Sequence, residues 1–117
     1  MVRISTMFVP YKLVLSERKP VILEVTVKNT SSEPKLMSVL VEVPYDLSLN
    51  SGGYMRRQEH RIGTVKPGEE KKIEYHVFAK PTTLPGTYEI NITVFEHMDD
   101  YEYVAGEAKK TVTLRVV

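Results

Sequence analysis

Apolar side chains recur at every second position through most of this chain. From Pro20 onward, Val21, Leu23, Val25 and Val27 alternate with Ile22, Glu24, Thr26 and Lys28. The pattern returns at Met37, Val39, Val41 and Val43, and again at Ile73, Tyr75, Val77 and Ala79. Tyr88, Ile90, Ile92 and Val94 repeat it, and Val112, Leu114 and Val116 close the chain. A strand points successive side chains to opposite faces, so each run is a strand with one apolar face. No stretch has a convincing helical period. The segment from Ala105 to Lys110 is short and runs into β-branched residues.

Turn chemistry separates the runs. Asn29 to Pro34, Ser51-Gly52-Gly53, Pro81 to Gly86 and Met98-Asp99-Asp100 are breakers. In Lys66-Pro67-Gly68-Glu69 the proline presets φ and the glycine takes positive φ, which predicts a type II turn. About seven strands follow. The first runs from Arg3 to Leu15 and is broken by Pro10. Val21–Lys28 and Lys35–Val43 come next, then a poorly defined strand within Tyr54–Thr64. Lys71–Lys80, Thr87–His97 and a last strand from Tyr101 to Val117, interrupted near Gly106, complete the set. Strands with one apolar face each bury it by packing two sheets together. The expected fold is all-β, an immunoglobulin-like Greek-key sandwich formed as a single domain by residues 1–117. The expected core is Leu23, Val25, Val39, Val41, Tyr75, Val77, Ile90, Ile92, Val112 and Leu114.

The order of markers is itself informative. A strand ends in Asn29, another in Val43-Pro44, and an Ile62-Gly63 step precedes Lys66-Pro67-Gly68-Glu69. Gly86-Thr87-Tyr88 then opens Glu89-Ile90-Asn91-Ile92. From about Pro20 to Val117 this resembles the cell-adhesion-related (CARDB-like) domains of bacterial and archaeal surface proteins, and more loosely fibronectin type III-like domains. The resemblance implies a structural, adhesion or protein-interaction module at the cell surface. It differs from antibody domains, which carry a cysteine pair and a core tryptophan; this chain has neither. Tyr88 stands where a tyrosine corner would return its hydroxyl to the upstream backbone.

Composition narrows the function classes. The net charge of +1 and the absence of aromatic–basic interleaving argue against nucleic acid. No apolar run is long enough to insert into a membrane. Without cysteine there is neither a disulfide nor a thiolate metal site. Met1 to Thr6 lack the apolar core of a signal peptide. Two locations stay open: a domain of a longer exported chain, or a free-standing cytoplasmic protein that binds another protein. Only Asn29, Asn50, Asn91 and Gln58 are amide residues, which leans toward a thermophilic source or reflects sampling in a short chain.

No catalytic motif surrounds Ser, His60, His76 or His97, so no enzyme activity and no cofactor are expected. Glu89, Glu96, Asp99, Asp100, Glu102 and Glu107 form an acidic stretch without Lys or Arg from Pro81 to Ala108. Around His97 it reads either as a calcium or transition-metal site or as a solvated hairpin. The hairpin is preferred, and no metal site is assigned. Arg56, Arg57, His60, Arg61, Lys66, Lys71 and Lys72 read as a phosphate- or sulfate-binding stripe or as a charge-protected edge strand. The sequons at Asn29 and Asn91 would accept glycans on an exported chain. Carbohydrate binding is a further alternative. The sharpest expectation is an outward patch of Leu36, Leu40 and Phe95, joined by Tyr101 or Tyr103. Either a protein partner covers it, such as a second copy or a neighbouring domain, or Tyr103 to Gly106 folds over it within the monomer.

Overall fold

The computed structural model describes residues 1–117. Nine strands form: β1 (Val2–Val9), β2 (Lys12–Leu13), β3 (Val21–Asn29), β4 (Lys35–Glu42), β5 (Leu47–Ser48), β6 (Arg57–Val65), β7 (Glu70–Ala79), β8 (Gly86–His97) and β9 (Val104–Val116). One 3-10 turn, Leu15–Glu17, lies between β2 and β3. The count corrects the expectation of about seven. The extra strands are β2 and β5, each of two residues. A two-residue strand is too short to show any period. The last strand starts at Val104 and runs on through Gly106, but the expected interruption is there as a bulge: Glu96 faces Gly106 and His97 faces Val104, which leaves Ala105 without a partner.

The strands form two sheets, β1-β3-β7-β5 and β2-β9-β8-β4-β6. All neighbours are antiparallel except β2 and β9. Lettered in the immunoglobulin manner, the first sheet contains A-B-E with the two-residue β5 beside E, and the second contains G-F-C with β6 beside C. The chain is therefore an all-β, immunoglobulin-like sandwich. Crossovers between β3 and β4 and between β7 and β8 place non-consecutive strands side by side.

The period-two alternation explains the core. Val21, Leu23, Val25 and Val27 face Val39, Val41, Ile90 and Ile92, and none is more than 1% exposed. One continuous cluster of 19 buried residues fills the space between the sheets. Val112 lies at its margin and is only half-buried; β2 borders β9 only at Arg115 and Val116, so the outer side of β9 is unpaired at Val112. Tyr75 is the polar exception. Its ring is 3% exposed and its hydroxyl is buried without a partner.

The polar link at one end of the sandwich is Asn29. It has no exposed surface. Its Nδ2 donates to the Glu33 and Val65 carbonyls, each at 2.8 Å, and its Oδ1 accepts from the Ser31 N–H at 2.9 Å. Its backbone N–H donates to the Glu69 carbonyl at 3.2 Å, and its carbonyl accepts from the Gly68 N–H at 2.8 Å. The Lys66–Glu69 turn closes through the Glu69 N–H to the Lys66 carbonyl at 2.9 Å, with Gly68 at φ +77. The Lys66 N–H in turn donates to Glu69 Oε1 at 2.9 Å and holds that carboxyl below its ordinary range.

Two outcomes follow. Asn29→Ala should cost about 2–4 kcal/mol in urea denaturation, because two carbonyls lose their donor. Asn29→Asp should cost more, since a carboxylate would then face those carbonyls. A loss below about 0.5 kcal/mol for both would remove Asn29 as a structural link. Burial pushes the Tyr75 phenol up to about 12 from an ordinary value of 10.0. The unfolded chain then releases this proton first, so Tyr75's contribution to stability falls as pH rises from 10.0 to about 12. Alkaline denaturation of Tyr75→Phe against the wild type should show that loss flattened.

Candidate interaction surface

The outer face of the five-stranded sheet is set by strand alternation. With Met37, Val39 and Val41 inward, β4 turns Leu36, Ser38 and Leu40 outward, and β8 turns Thr93, Phe95 and His97 outward. The antiparallel register sets Leu36 beside His97, Ser38 beside Phe95, and Leu40 beside Thr93. Yet Ser38 is fully buried, and Leu40, Thr93 and His97 are at most 7% exposed. An outward face this dry has a cover.

Over Ser38 and His97 the cover comes from the β8–β9 hairpin, residues 98–103. Its ends are tied by the Met98 N–H to the Tyr103 carbonyl at 2.9 Å, and Asp99 takes φ +66 to make the turn. The Asp100 carboxylate accepts from the Glu102 N–H at 2.8 Å. Tyr101 then lies across the sheet. Its ring meets His97 edge-on at 5.1 Å, and the Arg61 guanidinium sits 4.7 Å from its centroid. Its hydroxyl accepts from the Gly63 N–H at 2.9 Å. That N–H is free because the β4–β6 register shifts between Met37 and Ser38, with Gly63 at φ +78. Beneath the tyrosine, Ser38 Oγ and His97 Nε2 are 2.7 Å apart, while His97 Nδ1 is buried without a partner.

The expected patch is corrected by this geometry. Leu40 is buried, and Tyr101 is spent on packing within the monomer. The covering segment is Tyr101 in the hairpin, not Tyr103 to Gly106, whose last three residues belong to β9. Leu36 and Phe95 are half-buried, and Tyr103 remains 61% exposed. Arg61, Gly63, Ser38 and His97 were absent from the expected set. The Ile62-Gly63 step was the only local signal of the bulge that recruits them. At the opposite end of the sheet the Tyr88 hydroxyl donates to the Leu84 carbonyl at 2.6 Å, a tyrosine-corner bond.

The charged runs separate in space. β6 is the outer edge of its sheet, with Arg57 to Arg61 all exposed. Lys71 and Lys72 instead lie on β7 in the other sheet, where they pair with Glu69 at 3.7 Å and Glu24 at 3.6 Å. The basic run is therefore not one stripe. Among the acids, Glu96 pairs with the N-terminal ammonium at 2.9 Å and Glu107 with Lys109 at 3.6 Å. No three His, Asp or Glu side chains converge to hold a metal ion. The Asn29 sequon is closed to a glycan, because that amide is buried and both its hydrogens are used.

Tyr101→Phe should cost about 1 kcal/mol by stranding the Gly63 N–H. Hydrogen exchange should quicken at Gly63 and through residues 98–103 more than elsewhere. Unchanged exchange at Gly63 would show that the tyrosine does not fasten the hairpin.

No protein-family model matches the chain, and no curated protein does. Solved structures do. The Pseudomonas fluorescens alkylpurine DNA glycosylase AlkC, bound to DNA containing an abasic site analog, is 18% identical with a TM-score of 0.54. The match covers 98% of this chain but only 30% of the glycosylase. Self-complemented MyfA, the major subunit of Myf fimbriae from Yersinia enterocolitica, is 11% identical with a TM-score of 0.57, covering 97% of this chain and 98% of MyfA. The same subunit in complex with galactose is 12% identical with a TM-score of 0.51, over 99% of this chain and 98% of that one. At these identities the likeness is one of fold.

Proposed function

We propose that the chain is a non-catalytic surface or adhesion module that works by contact with another protein chain, either a second copy or a neighbouring domain. Extracellular placement and kinship with cell-adhesion-related domains belong to this reading. The end-to-end likeness to a fimbrial major subunit supports it, because the shared fold there accounts for nearly the whole of both chains.

The observation that carries it is a pair of complementary surfaces. The hairpin tip exposes Met98, Tyr103 and Val104 at 59%, 61% and 55%. Asp99, Asp100 and Glu102 surround them, so the tip is apolar and acidic at once. The β6 edge is the reverse: paired with β4 on one side and free on the other, it carries Arg57, His60 and Arg61, with Glu59 the one acid among them. Like charge on two such edges opposes their pairing with each other. An acidic partner is attracted instead, and an exposed tyrosine is the side-chain type that protein interfaces favour. Tyr101 fixes the tip, so little ordering entropy is lost when it docks.

Sedimentation of the wild type against an Asp100→Lys, Tyr103→Glu double variant tests this. The wild type should self-associate at low salt and dissociate at high salt, and the variant should stay monomeric throughout. A wild type that is monomeric at every concentration and salt would remove the second copy as partner. Equal association of a folded variant would remove the hairpin tip as the contact.

A further inference from the structure

The end of the sandwich opposite the hairpin carries a different surface. There the β2–β3 segment and the β7–β8 segment stand on either side of a cleft of about 710 Å³. That volume lies in the range of small-molecule sites, roughly 300–1,000 Å³. Leu15, Phe78 and Pro81 line it with apolar surface, and Arg18, Lys19 and Lys80 bring three positive charges. No Asp or Glu side chain lines it, and the Val117 main-chain oxygen that accepts from the Leu15 N–H stands beside it.

None of these three cations is in an ion pair, although other lysines of the chain are. Lys80 is steadied in another way, with its ammonium 4.1 Å from the centroid of the Tyr45 ring, which neighbours the cleft without lining it. An aromatic face holds a cation without cancelling its charge. Arg18 is held in the left-handed region at φ 53, where a side chain is disfavoured. Its N–H donates to the Leu15 carbonyl at 3.2 Å and closes the 3-10 turn. Glycine would satisfy that turn with less strain. A residue that strains the backbone while placing a charge at a cleft is the kind of outlier that accompanies binding sites.

We infer that this cleft binds a free amphipathic organic anion, an apolar chain or ring bearing one sulfate, carboxylate or phosphate. The apolar lining takes the body of the ligand and Arg18, Lys19 and Lys80 take its head. The site is distinct from the hairpin tip, which lies at the other end of a molecule 46 Å long, while the start of the β6 edge comes near it through the Tyr45 ring that Arg56 and Lys80 share.

Octyl sulfate is the probe, used below its micelle concentration, with octanol and sodium sulfate as controls. Nitrogen-15 NMR titration of the intact chain should show saturable shifts confined to residues 13–19 and 78–83. Octanol and sulfate should each bind at least about tenfold more weakly, since each supplies half of the recognition. Arg18→Gly relieves backbone strain, so it should melt at or above the wild-type temperature yet bind octyl sulfate several-fold more weakly. A folded Lys19→Glu, Lys80→Glu variant should lose binding altogether. Equal affinity for octanol and octyl sulfate would overturn the proposal. So would shifts centred outside the cleft, or undiminished binding by Arg18→Gly.

Discussion

Asn29 ends β3 with a partner for each hydrogen of its side-chain amide, and those partners belong to different parts of the fold. One is the β3–β4 turn at Glu33, and the other is Val65 at the end of β6. Its backbone meanwhile pairs with the turn that opens β7. No backbone ladder joins the two sheets of a sandwich, so their relative placement normally rests on non-directional apolar packing. A buried amide adds direction, and it is costly to satisfy in any other arrangement. Once Val65 is fixed, so is the register of β6 against β4. That register places the bulge at Gly63 where the Tyr101 hydroxyl reaches it.

Much of this was legible in the chain. β3, β4, β7 and β8 announce themselves because one face of each is buried and alternation is then enforced. The strand within Tyr54–Thr64 was blurred for the converse reason. Arg57 to Arg61 sit at the edge of the wider sheet, beyond cover from the narrower one, so all are exposed and nothing imposes a period. Asn29 was visible only as a strand end and a sequon. Its role depends on Val65, 36 residues away, and no local pattern encodes that meeting. The outward patch failed at one step. Alternation assigns a side chain to a face, but it does not say what lies over that face. Between Met98 and Tyr103 the chain has no period, so nothing in it distinguishes Tyr101, which folds back, from Tyr103, which does not.

The two ends of the sandwich differ in charge, and the difference follows from how each is anchored. The hairpin end is acidic, and a tyrosine laid across the sheet holds it. The cleft end is cationic, and backbone bonds hold it. The Leu15 N–H donates to the Val117 main-chain oxygen, and the Val117 N–H donates to the Leu13 carbonyl, both at 2.9 Å. Those bonds lock the start of the 3-10 turn to the end of β9. A turn pinned on one side can keep Arg18 in a left-handed conformation that a free loop would relax. The buried core supplies the stability that offsets such strain, and the strain in turn fixes a charge at the rim of a cleft. Rigid strands with unlike loops at each end are how one common fold carries unrelated recognition tasks. In this chain the acidic tip and the cationic cleft stand at opposite ends of the sandwich.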